Sequence, residues 1–193
     1  MITIGIETNF PEIEARLDAL QEDYRTKVLV RAVNRTMEKG QTEMRRAITS
    51  EFNISATKVR EKLFLKRASF KSGRFSVEAE LVSRDPRGKR RSINVINFKA
   101  RQGKQGVTVQ IKKGGARKLI RGAFIANAGR TVFVREGRER LPIKPVQVID
   151  VPQMFTTKRI SARVIAKIKA VFPVVFAREE RYALDRWSRK GST

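Results

Sequence analysis

Val107-Thr108-Val109-Gln110-Ile111-Lys112-Lys113-Gly114-Gly115-Ala116-Arg117-Lys118-Leu119-Ile120-Arg121 reads as two strands about a glycine turn. Val107, Val109 and Ile111 alternate with Thr108, Gln110 and Lys112, the period of a strand with one buried face. Lys113-Gly114-Gly115 then turns the chain into a second strand over Arg117 to Arg121, so the pair is a predicted hairpin. The same alternation is clearest upstream, where Phe75, Val77, Ala79 and Leu81 interleave with Arg74, Ser76, Glu78 and Glu80. Shorter strands are expected over 93–98, 131–135 and 145–149, each bounded by glycine or proline. Together they predict an antiparallel sheet.

Both flanks are helical. Phe10, Ile13, Leu17, Leu20 and Tyr24 recur at spacings of three and four, and the stripe resumes out of phase as Val30, Val33, Met37, Met44 and Ile48. The slip implies a bend near Asp23 or two successive helices; Gly40 weakens the second part slightly. A short helix capped by Ser55 is expected from there to Phe64. Beyond Thr157, Ile160, Val164, Ile168, Val171 and Val175 return to helical spacing, with Thr156 or Thr157 as cap. Pro173 is expected to bend or end that helix. Arg178 to Trp187 would form a last helical segment, and 189–193 a loose end. The fold class is therefore α+β: an antiparallel sheet packed by a long N-terminal helical region and a C-terminal helix. One domain over 1–193 is expected, helical over 10–65, mainly β with basic loops over 73–150, and helical again over 156–187.

The 193 residues contain 43 Lys and Arg against 19 Asp and Glu, a formal net charge of +24, with 40% hydrophobic side chains. Such a chain has enough apolar material for a core and an unusually cationic exterior. Cysteine and histidine are both absent. That removes disulfides, thiol nucleophiles, imidazole bases and nearly all zinc and iron sites. The opening residues lack a basic stretch followed by an apolar one, and no apolar run reaches membrane-spanning length, so cytoplasmic synthesis and no membrane are expected. Asn34-Arg35-Thr36 and Asn53-Ile54-Ser55 then have no meaning as glycosylation signals.

The charge is uneven. Between Glu12 and Thr49 eight basic side chains meet seven acidic ones, whereas Arg84 to Arg121 hold thirteen basic residues and one acid, Asp85. The cations gather in three clusters at strand ends or turns: Arg84, Arg87, Lys89, Arg90 and Arg91; Lys99, Arg101 and Lys104; Lys112, Lys113, Arg117 and Lys118. These twelve are the candidate DNA-facing or partner-facing residues. Loops of this kind meet phosphate oxygens and gain free energy by releasing counterions; an acidic neighbouring subunit or plain solvent would also suit them. Phe98 is the only aromatic from Arg84 to Lys118, so neither base stacking nor sequence readout is expected.

Catalysis has little to stand on. A carboxylate-metal nuclease needs converging acids, yet Glu78 and Glu80 share a strand face with Arg74, while Glu136, Glu139 and Asp150 lie among arginines in turns. Salt-bridge or surface roles are expected for them. Lys113 to Lys118 lacks the spacing of a phosphate-cradling P-loop. No catalytic residue, metal or cofactor is expected.

An ordered series of segments remains. Ala32-Val33-Asn34-Arg35-Thr36, Asn53-Ile54-Ser55 and Val59-Arg60 precede Phe98-Lys99-Ala100-Arg101-Gln102, Gly106-Val107 and Lys112 to Lys118. Gly122-Ala123-Phe124-Ile125-Ala126, Val132-Phe133-Val134-Arg135, Arg140-Leu141-Pro142-Ile143-Lys144 and Val151-Pro152-Gln153-Met154-Phe155 follow. The series, over roughly residues 30 to 155, resembles the minor tail protein Z, or tail completion protein, family of tailed bacteriophages and prophages. The resemblance implies a non-enzymatic virion component at the head-proximal tail or neck, assembled in the bacterial cytoplasm and needed for head-tail joining. It also implies a homo-oligomeric ring, sixfold by preference, beside tail terminator, tail tube and neck or connector proteins. Around such a channel the cationic loops would make nonspecific contact with packaged double-stranded DNA. Composition alone would favour the alternative, a sequence-nonspecific nucleic-acid-binding protein of ribosomal or nucleoid type.

Overall fold

A computed structural model describes residues 2–4, 22–69, 79–83 and 92–190. The chain runs through β1 (Ile2–Ile4), α1 (Glu22–Glu51), α2 (Ala56–Arg60), β2 (Leu63–Lys66), β3 (Glu80–Ser83) and β4 (Ile93–Asn94), then a 3-10 turn over Val95–Asn97. It continues with β5 (Arg101–Gly103), β6 (Gly106–Val109), β7 (Lys118–Arg121), β8 (Phe124–Ala126), β9 (Thr131–Arg135), β10 (Ile143–Pro145) and β11 (Gln147–Val148). Two helices close it, α3 (Val151–Phe155) and α4 (Lys158–Lys190). The fold is α+β, and every strand pairing is antiparallel. Among the described residues the strands divide into four small sheets, β1-β3-β2, β5-β6-β7, β10-β9-β8 and β11-β4.

The backbone of the molecule is the pairing of α1 with α4. On α1 the row Val28, Ala32, Thr36, Gly40, Met44, Ile48 is buried at every fourth position, the spacing that keeps side chains on one helix face. On α4 the matching row is Ile160, Val164, Ile168 and then Val175 and Phe176. Gly40 lets the two approach: an ideal Cβ there would lie 2.7 Å from Ile168 Cδ1 and 3.0 Å from its Cγ1. A residue that sequence propensity reads as a mild defect is thus a place where the partner helix packs closely.

Three apolar clusters follow among the described residues. The largest joins Met44, Ile48 and Phe52 of the α1 end to Leu63, Leu81, Phe98, Phe155 and Val164. A second links Val28 and Ala32 to Val175 and Phe176, and a third lies among Val95, Val107, Val109, Ala123 and Val132 of the sheets. Two asparagines fasten segments distant in sequence by imitating backbone. Asn34 donates to the Ala68 carbonyl at 3.0 Å and accepts from its N–H at 2.7 Å; Asn94 makes the same double bond to Val132.

Several expectations change. The helix after Ser55 stops at Arg60, although Ser55 does cap it by accepting from the Lys58 N–H. Leu63 and Phe64 instead pair with β3, because two strands beside the core give those apolar side chains more cover than one extra helical turn. The strand expected over 93–98 shortens to two residues, since the Asn94 side chain accepts from the Ile96 N–H and starts the 3-10 turn. Asp150 starts a short helix that the sequence reading omitted. Pro173 does not end α4, which runs on to Lys190; Val175 and Phe176 just beyond it are held on α1. Arg189 and Lys190 accordingly belong to the helix. The stripe over 10–20, the bend near Asp23 on its upstream side, and most of the Arg74 to Leu81 strand lie outside the described residues.

Candidate nucleic-acid interface

The hairpin read from the sequence is present: β6 pairs with β7, Val107 opposite Ile120 and Val109 opposite Lys118. Its far side pairs with β5, Arg101 opposite Thr108. The tight β5-β6 turn depends on Gly106, whose φ is +146° and whose Cβ position is 2.1 Å from the Ile120 carbonyl oxygen. Only glycine fits such a backbone and such a distance.

The sheet separates the cations that the sequence grouped. Lys99, in the left-handed region at φ 49°, leads into β5 at the end where the Gln110 N–H donates to the Phe98 carbonyl. Arg117 is tied to the same end, its guanidinium donating to the Lys99 carbonyl at 2.6 Å. Lys112 and Lys113 continue β6 beyond that end. Lys104 stands at the opposite turn, between Gly103 and Gly106; Arg101 and Lys118 begin β5 and β7 near the Lys99 end, opposite Thr108 and Val109 of β6. All seven are exposed. Arg84, Arg87, Lys89, Arg90 and Arg91 lie outside the described residues.

Lys112 and Lys113 are held against the C-terminal end of α1. Phe52 and Lys112 form an antiparallel bridge, and the Lys113 N–H donates to the Glu51 carbonyl at 2.9 Å. The last carbonyls of a helix need partners, and here the extended β6 supplies one. Asn53 completes the seam, its N–H donating to the Ile111 carbonyl at 2.8 Å and its amide to the Gln110 carbonyl at 2.9 Å. The Gln110 side chain closes the glycine turn by donating to the carbonyls of Lys113 and Gly115. The Lys112 ammonium lies over the Phe52 ring, 5.9 Å from its centroid, and 3.8 Å from the Glu51 carboxylate.

A cleft of about 440 Å³ opens where this turn meets both long helices. Lys112, Lys113, Arg159 and Arg163 line it together with Gly114 and Gly115. Arg163 donates to Glu43 at 2.7 Å, whereas Lys113 and Arg159 have no carboxylate partner among the described residues. Sequence reasoning missed both arginines because it sought cations in the β region. A signal was available: from Lys158 to Lys190 there are ten basic residues and three acidic ones.

Several of the carboxylates are engaged in structure. Glu80 pairs with Lys66 at 2.7 Å and Glu136 with Lys144. Asp150 corrects the expectation of a turn among arginines: it is buried, accepts from Lys62 at 2.8 Å, and caps α3 in a capping box with Gln153. No group of three or more acids able to hold a metal ion occurs among the described residues. No helix there is long and apolar enough to cross a membrane. The arrangement is suited to holding anions by charge and exposed backbone. A family model described as prophage minor tail protein Z (GPZ) matches residues 12–187. No curated protein and no solved structure matches the chain.

Proposed function

The chain belongs to the prophage minor tail protein Z family, structural proteins of phage tails, and from that premise we propose that it completes the head-proximal end of the tail and enables joining to the head. As a tail protein it is a virion component that works against other virion proteins. In this reading it forms one domain that assembles as a ring, six copies by preference, around the channel through which the genome passes. Its neighbours are the tail terminator, the tube and the neck or connector.

The observation that carries the reading is the family match over nearly the whole chain, 12–187. The charge gives it a physical use. Exposed cations at both ends of the β5-β6-β7 sheet would hold DNA by phosphate contacts indifferent to sequence, and the proposed set includes Arg84, Arg87, Lys89, Arg90 and Arg91. The family's structural character accords with a protein that does no chemistry. The ribosomal or nucleoid alternative had only composition in its favour.

Labelling the protein in purified virions and imaging them tests the placement. The expected result is one low-copy focus at the head end of each tail. Label spread along the tube would overturn it.

A further inference from the structure

The antiparallel pair of α1 and α4 leaves a groove along one side, and three concavities follow one another in it. The first is the cleft of Lys113 and Arg159. The middle one, about 650 Å³, is lined by α1 from Arg35 to Arg46 and by Lys167 and Arg178 of α4. The third, about 230 Å³, lies between Arg31 and Tyr182 near the far end. Ion pairs mark the junctions: Glu43 of the middle section holds Arg163 of the first, and Arg35 of the middle holds Glu179 of the third. On both helices the lining residues fall to the same side of the buried row. From Lys27 to Ser50, α1 rises about 35 Å at 1.5 Å per residue.

The groove is more cationic than the near-neutral count for the N-terminal helical region implies. Each glutamate lining it is met by a cation: Glu38 by Arg67, Glu43 by Arg163, Glu51 by Lys112 and Glu179 by Arg35. Lys39, Arg46, Lys167 and Arg178 are exposed and have no carboxylate partner among the described residues. Lys113 and Arg159 extend that set toward the sheet.

We propose that this groove is a seat for the sugar-phosphate backbone of duplex DNA, continuous with the Lys112–Lys113 turn. The proposal rests on the tail-channel reading for the source of that DNA. Length argues against a small anion. An acidic helix from a neighbouring protein would need apolar anchors at helical spacing, yet in the middle section every lining side chain but Thr42 is charged. Duplex DNA carries about one charge per 1.7 Å of axis, so about 35 Å of groove passes roughly twenty phosphates. Unpartnered cations spaced along a trough match a continuous polyanion better than discrete carboxylates.

The test is a full-length variant with Lys39→Gln, Arg46→Gln, Lys167→Gln and Arg178→Gln, exposed changes that keep helix propensity. Binding to a 30-base-pair duplex is followed by fluorescence anisotropy from 50 to 200 mM salt, with circular dichroism confirming the fold. The log-log salt slope should become shallower by up to about 3.6, or 0.9 per lost phosphate contact, and equally for a second duplex of unrelated sequence. An unchanged slope overturns the groove. A companion variant, Lys99→Ser, Arg101→Ser, Lys104→Ser and Lys118→Ser, separates the two ideas. If it alone lowers the slope, the groove proposal fails while DNA contact by the sheet turns stands. If the unaltered protein shows no salt-dependent binding, DNA contact falls for both. A groove variant that keeps its DNA slope but no longer enters particles would assign the groove to a protein neighbour, and would also overturn the proposal.

Discussion

Replacing Asp150 should separate two kinds of stabilisation that one side chain supplies. Its carboxylate accepts from the Lys62 ammonium at 2.8 Å and from the Val151 N–H at 2.7 Å, while its own N–H donates to the Gln153 side chain at 3.0 Å. Both members of the ion pair are mostly buried, with side-chain exposures of 16% and 12%. A hydrogen bond to a charged group contributes about 1.5–3 kcal/mol, and loss of an N-cap costs about 1 kcal/mol. Asp150→Ala removes both and should cost about 3 kcal/mol. Asp150→Asn retains a good cap and removes the charge, so it should cost about 2 kcal/mol. For a chain of this size 1 kcal/mol moves Tm by about 2–4 °C, so the Ala variant should melt about 6–12 °C lower. Urea unfolding at constant m gives the free energies directly. Equal losses in the two variants would refute a capping role, and losses under about 0.5 kcal/mol in both would refute the account of Asp150 as a buried anchor.

Gly40→Ala should destabilise by about 1–2 kcal/mol through overpacking against Ile168 despite its better helix propensity; adding Ile168→Val, which removes the nearest methyl, should recover part of that loss in thermal melts, and purely additive effects would argue against close contact at this crossing. Gly106→Ala should cost about 3 kcal/mol or more, because backbone strain and a collision with the Ile120 carbonyl coincide. Gly114→Ala, with nothing within 4 Å of the added Cβ, is the control and should change denaturant midpoints little.

The sequence exposed those parts of the fold whose pattern is local. Val107 to Arg121 combines strict alternation with a double glycine, and the pairing is as read. Ile160, Val164 and Ile168 mark the core face of α4 because their spacing depends on nothing outside the helix. Leu63-Phe64 is ambiguous in sequence, since a short apolar pair suits a helix end or a strand equally, and β3 decides between them. Pro173 does not end α4, because the packing of Phe176 on α1, which intrinsic propensity omits, carries the helix past it. For the interface, cation clusters in turns were visible. The groove was hidden because counting charges along a helix averages over faces, whereas Arg67, Arg163, Lys112 and Arg35 neutralise the glutamates of that side and leave Lys39, Arg46, Lys167 and Arg178 without a carboxylate partner among the described residues.

The pairing of α1 with α4 also has a consequence in time. Glu43 meets Arg163, and Arg35 meets Glu179, so α1 waits for more than one hundred further residues before its partner exists. At about 5–20 residues per second, roughly 5–20 s of synthesis separate the last turn of α1 from the first turn of α4. During that interval Met44, Ile48 and Phe52 can be covered only by the intervening strands and short helices. Closing so long a loop carries an entropic cost that is recovered only once the distant contacts form. The nascent chain therefore gains its longest helical contact last, and the interval before it is when the apolar row of α1 is most open to capture by another chain.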